Sequence, residues 1–544
     1  MSTATPPRTF GARADRWSLG VFVVVVVLSV PLLLYLGRDQ WFYLDEWSVL
    51  GDGVGSQGGY LDPHNGHWST VVTIAFRVNY ALWGLRSYLP YQVPVVLLHV
   101  GSAVLLRILM CRLGVRGWIA TVAALIFVFF GAGSLNIFFA FQISQTGSLF
   151  CGLAYLVLAD RDGSLDRRDW LALAVGVVGL TTSGIFVPMV VGVGVAVLLR
   201  RGPWVAAFYT VPLGLIYGVW YLFYGRDNTV LSLSSLGEVL RFGARMLSGT
   251  FTSLAGSDAG GLALGLVALG ALVAVVTGAI RARQWAPLSL PAGLVTAWVV
   301  FAVLTALASA RAGFEGESGD SDRYLHITAA LVLPQIALGA EYLARQNVFA
   351  GVVPILVLGV GLPGNLDALA NRSPLALGNR NGFLALAHSE YIDDVPPNLH
   401  PWTEGRFRYP VTAGWISREA KAGNIPKPTD ESAPQGLSVF ARLALWQEGF
   451  GDRRECPRAE RRHVELALAQ GERLVFEGGI RVRVRDGQDQ SPSLPFTSAL
   501  GSTLVAGLEA LDLVVTDAEP GRRPRLCEPL PMSVAGREAV ERER

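Results

Sequence analysis

The chain has 544 residues, of which 51% are apolar and only 16% charged, and its mean hydropathy is +0.40. That composition excludes a soluble fold for most of the length, because charged residues are thin up to about Pro363 and dense only beyond it. The net charge of +2 gives no basis for nucleic-acid binding.

Apolar windows of about 20 residues predict roughly eleven membrane-spanning helices. Residues 1–17 carry Arg8, Arg13 and Arg16 and form a short N-terminal tail. The run at 18–36 has no small-residue cleavage site after it, so it is an uncleaved first span and not a signal peptide. Further spans are expected at 92–110, 117–133, 144–159, 170–182, 184–199, 204–223, 260–280, 288–308, 325–343 and 348–362. Thr181-Thr182-Ser183-Gly184 marks either a broken hairpin or a turn between two short helices.

Arginine placement orients the bundle. With the N-terminus cytoplasmic, the inner loops hold Arg112 and Arg116, then Arg161, Arg167 and Arg168, then Arg200 and Arg201, Arg281 and Arg283, and Arg345. Every such loop is basic near a helix end, as the positive-inside rule requires. Arginine far outnumbers lysine, which suggests a high-GC bacterium, and the spans are expected to lie in its plasma membrane.

Three long loops fall on the outer face: 37–91, 224–259 and 310–324. The first opens with Trp41-Phe42-Tyr43-Leu44-Asp45-Glu46-Trp47 and continues through Asp62, His64 and His67. Its second half, from His67 to Leu85, has the pattern of an amphipathic helix on the membrane surface. The second holds Arg226, Asp227, Glu238, Arg241 and Arg245, and the third ends in Asp320-Ser-Asp322-Arg323-Tyr324. Residues 18–363 are thus expected to form the membrane domain and 364–544 an extracytoplasmic one.

The tail is expected to be a small α+β or β-sandwich domain. Glu472–Phe476 and Ile480–Arg485 suggest a hairpin turning at Gly478-Gly479, Leu511–Thr516 another strand, and Trp415–Ala422 a short helix ending at Gly423. In an oxidising compartment Cys456 and Cys527 can form a disulfide.

The chemistry concentrates at the acidic pair. Two adjacent carboxylates in a partly dry setting resist simultaneous ionisation, so one of them suits a general base. The bland alternative is an interfacial turn with an aromatic belt. Arg323 suits a phosphate, because guanidinium pairs bidentately with phosphate oxygens, and Tyr324 adds a hydroxyl donor. Its alternative is an ion pair with Asp320 or Asp322. His64 and His67 either hold a divalent cation together with neighbouring acids, or hydrogen-bond to acceptor or backbone. Asn136 and Gln142, near the outer end of the third span, line a lipid groove or satisfy each other between helices. No P-loop, dinucleotide fingerprint or cysteine-rich zinc pattern is present.

This layout, with Asp45-Glu46 just after the first span and Arg323-Tyr324 at the start of a late one, resembles the GT-C class of integral-membrane glycosyltransferases. In particular it is similar to the protein-mannosyltransferase, aminoarabinose-transferase and mycobacterial arabinosyltransferase groups, which take sugars from polyprenyl phosphate. The resemblance implies that Asp45 is the catalytic base, with Glu46 assisting, and that the donor is a polyprenyl-phosphate sugar. It implies an inverting hexosyl- or pentosyltransferase, acting at the outer face on a glycan, glycolipid or protein acceptor during cell-wall biogenesis. Some members of the class bind a metal at the first loop and others need none. Two other readings are a transporter or flippase of lipid-linked glycans, and a non-enzymatic envelope scaffold.

Overall fold

In the computed structural model the described residues are 9–51, 59–225, 236–311, 319–371, 377–404, 407–408, 410–428, 439, 445–448, 456–469, 472–486, 489–491, 493–506, 511–519 and 521–527. Asp52, Arg226, Asp227, Glu315, Glu317 and the Arg372-Ser373 pair lie outside them. The chain divides into two compact units. One comprises residues 1–40, 59–76 and 89–374, and the other 41–58, 77–88 and 375–544.

In chain order the helices are α1 (Thr9–Leu36), α2 (Asp45–Leu50), α3 (Thr70–Trp83), α4 (Leu89–Arg112), α5 (Gly117–Val128), α6 (Leu135–Phe138), α7 (Ile143–Ala159), α8 (Arg167–Leu180), α9 (Phe186–Arg201), α10 (Pro203–Trp220), α11 (Leu236–Ala255), α12 (Asp258–Ala282), α13 (Ser289–Arg311), α14 (Asp322–Gln346), α15 (Val348–Ala370), α16 (Leu377–Ala387) and α17 (Ala413–Lys421). Every predicted span falls on a helix. Among the described residues eight helices are long and apolar enough to cross a membrane by length and composition, and the chain is a polytopic helical membrane protein. The count of eleven is not reached, because α5, α8 and α9 have only 12, 14 and 16 residues and at about 1.5 Å per residue fall short of a hydrocarbon core.

α14 forms the axis of the first unit, being buried along nearly its whole length. Several arginines from the loops assigned to the inner face converge on three buried acids. Asp169 receives Arg161 and Arg201 at 2.7 and 2.6 Å. Asp160 takes Arg112 and Arg200, and Glu341 takes Arg116 and Arg345. α15 runs on through Pro363 to Ala370, past the predicted end at 362, since a membrane helix tolerates proline where neighbours satisfy the freed backbone group.

The second unit carries a seven-stranded antiparallel sheet with α16 and α17 outside it. Its strands are β5 (Leu445–Glu448), β6 (His463–Leu468), β7 (Arg473–Asp486), β8 (Asp489–Gln490), β9 (Leu494–Ala506), β10 (Leu511–Asp517) and β11 (Arg525–Leu526). They lie in the order β5-β9-β7-β10-β6, with β8 and β11 added on β7. Ile480, Val482 and Val484 point into its core, while Arg481 and Arg483 alternate outward. The predicted hairpin at Gly478-Gly479 is not one. Gly478, at φ +80°, sits in a bulge, and β7 pairs with β9 on both sides of it. A glycine pair that tolerates positive φ serves a bulge as well as a turn. Cys456 and Cys527 are joined by a disulfide with Cα atoms 5.0 Å apart.

Candidate active site

The acidic pair belongs to the second unit, the one that contains the C-terminal sheet. Trp41, Phe42 and Trp47 are buried there. Trp47 packs on Phe383 at 4.6 Å and Phe383 on Trp402 at 5.3 Å. Gly51 lies so close to the Pro410 carbonyl that a Cβ would fall 2.2 Å from it, which fixes glycine at that point. On α3, Tyr80 donates to Glu419 at 2.5 Å. An aromatic belt at the lipid interface would leave these rings exposed, so that bland reading does not describe them.

Glu46 is fully buried. Its Oε2 accepts the Tyr43 N–H at 2.9 Å and its Oε1 the Tyr88 hydroxyl at 2.7 Å. The first bond satisfies the N–H of the residue before the N-cap, Leu44. Glu46 therefore holds the turn on which Asp45 stands. The sequence expectation made Glu46 the assistant of Asp45, and a buried carboxylate with both oxygens hydrogen-bonded suits support of that turn. Asp45 is half-buried at the start of α2. Leu44, immediately before it, has φ 44° and ψ −116°. A bulky residue in that region is strained, and such strain collects at functional sites.

The other candidates lie in the first unit. Asn65 and Gly66 have φ 49° and 78°, the type I′ turn that Asn-Gly forms between paired strands. They join two short strands, Pro63–His64 and His67–Trp68, in which His64 faces His67 directly. The amphipathic helix predicted from His67 therefore begins only at Thr70. Asn65-Gly66 was the legible signal for this hairpin, and the pattern of apolar residues alone overlooks it. Trp68 stacks on Trp220 at 5.2 Å and nearly parallel, while the Trp220 indole donates to the Leu61 carbonyl at 2.7 Å. His64 rests against Phe141 at 4.9 Å.

His67 is exposed, yet surrounding protein desolvates it enough to lower its pKa to about 4, helped by the charges of His64 and Arg323. Desolvation by the surrounding protein is the larger cause of that shift. Gly184 lies beside the ring, since a Cβ there would lie 3.0 Å from both His67 Nδ1 and the Tyr217 hydroxyl. Thr181–Gly184 is the turn between α8 and α9, and the Thr181 carbonyl accepts the Val71 N–H at the start of α3 at 3.0 Å.

Arg323 and Tyr324 open α14. The guanidinium lies 4.9 Å from the Tyr324 ring centroid, and Nη2 donates to the Tyr324 hydroxyl at 3.1 Å. His326, one turn on, is fully buried and hydrogen-bonded to His99 at 2.9 Å. Asn136 donates to the Arg323 carbonyl at 3.0 Å and approaches Gln145 at 3.5 Å. Its partners are therefore on α14 and α7, not Gln142 as expected, because α6 turns its amide toward the central helix.

Among the described residues no three His, Cys, Asp or Glu side chains gather as a metal site.

No family model matches the chain, and no curated protein matches it. Among solved structures it is similar to the crystal structure of ArnT from Cupriavidus metallidurans bound to undecaprenyl phosphate. The identity is 14%, over 77% of this chain and 87% of that one, with a TM-score of 0.43. A likeness that loose leaves the chemistry to this chain's own residues.

Proposed function

We propose that this protein is an inverting glycosyltransferase that takes its sugar from a polyprenyl phosphate and acts at the outer face of the membrane. The observation that carries the reading is the setting of Arg323. It opens a buried membrane helix, and its guanidinium donates to a tyrosine hydroxyl. A half-buried cation at the end of a membrane span is suited to a phosphate whose lipid chain stays in the bilayer.

In the proposed reaction the acceptor hydroxyl loses its proton to the Asp45 carboxylate while its oxygen attacks the anomeric carbon. The bond from that carbon to the phosphate oxygen breaks, and its electron pair leaves with the polyprenyl phosphate, inverting the configuration. Arg323, with Tyr324, stabilises the negative charge that the phosphate gathers. Glu46 keeps the turn that carries Asp45. His64 and His67 serve as uncharged hydrogen-bonding groups toward donor or acceptor.

A transporter reading is favoured by one observation, the titratable pair His99 and His326 inside the bundle. The pair ends on backbone carbonyls, however, and offers no continuing path for a proton or ion.

The test is transfer of radiolabel from polyprenyl-phosphate mannose or arabinose to crude envelope acceptor by the purified protein. Wild type should transfer sugar. Absence of transfer with every lipid-linked sugar, together with export of intact lipid-linked glycan in vesicles, would replace this reading with the transporter.

A further inference from the structure

Three fully buried polar side chains, His99 on α4, His326 on α14 and Asn136 on α6, form one chain of hydrogen bonds inside the membrane domain. Its direction can be worked out. Asn136 Nδ2 lies 3.0 Å from the Arg323 carbonyl, which only accepts, so the nitrogen must be the atom placed there and the amide orientation is fixed. The same nitrogen lies 3.3 Å from His326 Nδ1, which therefore accepts. His326 Nε2 then carries the proton and donates to His99 Nδ1 at 2.9 Å. His99 Nε2 in turn donates to the Val128 carbonyl at 3.0 Å. Each imidazole is neutral with its proton on Nε2, because an extra proton on either Nδ1 would set two donors against each other.

The surroundings are built around this chain. Gly133 permits it, since a Cβ there would meet the His326 Cβ at 2.7 Å. Thr146 fixes the donor end by giving its hydroxyl to the Asn136 carbonyl at 2.8 Å. Three apolar side chains would fill the same space without the desolvation cost of three polar ones. The chain cannot conduct a proton either, because both ends are backbone carbonyls. What it does physically is clamp the first turn of α14 to α4, α5 and α6.

We propose that His99, His326 and Asn136 are positioning residues that hold the first turn of α14, and so Arg323, in the attitude that receives the donor phosphate. This rests on the phosphate reading of Arg323 given above. The residues act through a backbone carbonyl one turn from the imidazole and touch no reacting atom themselves.

The experiment compares wild type with Asn136→Asp, His99→Leu and His99→Gln in detergent, measuring undecaprenyl phosphate binding, donor KM, kcat and thermal stability. Asn136→Asp removes the donor hydrogens, and His99→Leu breaks the chain. Each should weaken phosphate binding and raise donor KM about tenfold, the size of one lost hydrogen bond, with kcat changed less than about twofold. His99→Gln keeps one acceptor and one donor in the same order and should recover wild-type binding. A lower melting temperature with unchanged binding and KM in both disrupting variants would overturn the proposal and leave a purely structural clamp. Should those variants fail to fold, nitrogen-15 histidine spectra of wild type decide. Both rings should be neutral Nε2–H tautomers from pH 5 to 8, and an Nδ1–H ring or an imidazolium would overturn it. Wild type that binds no undecaprenyl phosphate would overturn the phosphate reading itself, and the positioning role with it.

Discussion

The Tyr88 hydroxyl donates to Glu46 Oε1 at 2.7 Å in a fully buried setting, 42 residues along the chain. Glu46 thereby accepts a hydrogen bond on each oxygen, while Asp45 beside it is only half-buried. Glu46→Ala should cost about 2–3 kcal/mol, because the Tyr43 amide and the Tyr88 hydroxyl each lose a charge-assisted partner. Tyr88→Phe should cost about 1 kcal/mol. Thermal unfolding of the full chain checks both, and a Glu46→Ala protein as stable as wild type would remove the supporting role.

Asp45→Asn removes the proposed base and keeps the shape of the side chain. Transfer should fall about 10²- to 10⁴-fold, the usual worth of a general base, with an unchanged melting temperature. Full transfer by that variant would end the assignment.

Arg323→Lys keeps the charge but loses the planar fork. Donor KM should rise about tenfold or more, since lysine cannot pair bidentately with phosphate. Arg323→Gln should be weaker still. Measured donor KM values in the order wild type, lysine, glutamine are expected, and equal values would show that Arg323 does not meet the phosphate.

His67 titrates at about 4 in the folded protein against 6.5 ordinarily. Between those values the unfolded chain binds a proton that the folded one refuses, so stability falls as pH drops from about 6.5 to about 4 and is insensitive to this group above that window. His67→Gln should flatten the slope of melting temperature against pH in that window. Activity should show no His67-linked titration between pH 7 and 8.

The Cys456–Cys527 disulfide closes a separation of 71 residues around the sheet. Replacing both cysteines with serine should lower the stability of the second unit by about 4 kcal/mol on loop-entropy grounds. Reductant should have the same effect on wild type and none on the double variant, as read by protease sensitivity of the sheet.

Several features were legible because they depend on local pattern. The eleven apolar segments all became helices, since burial in lipid demands an internally bonded backbone whatever the neighbours. Leu511–Thr516 became a strand, as its composition suggested. Gly478-Gly479 was ambiguous because positive φ serves turns and bulges alike, and only pairing with β9 on both sides chose the bulge. Asn136 misled for another reason. Its partner was sought at Gln142, six residues away, whereas the amide bonds to the Arg323 carbonyl 187 residues along.

The sequence by itself determined that most of the chain belongs in a membrane, where its long helices lie, though α1 and α15 outrun their expected spans, and which ionisable residues flank them. Those properties follow from composition and periodicity within single elements. Only the tertiary structure decided that Trp41–Gly51 belongs to the unit with the C-terminal sheet, that Glu46 is fully buried while Asp45 is half-buried, and that His99, His326 and Asn136 are hydrogen-bonded in one chain to the first turn of the helix bearing Arg323. Those facts depend on contacts between residues tens to hundreds of positions apart, which no local periodicity encodes.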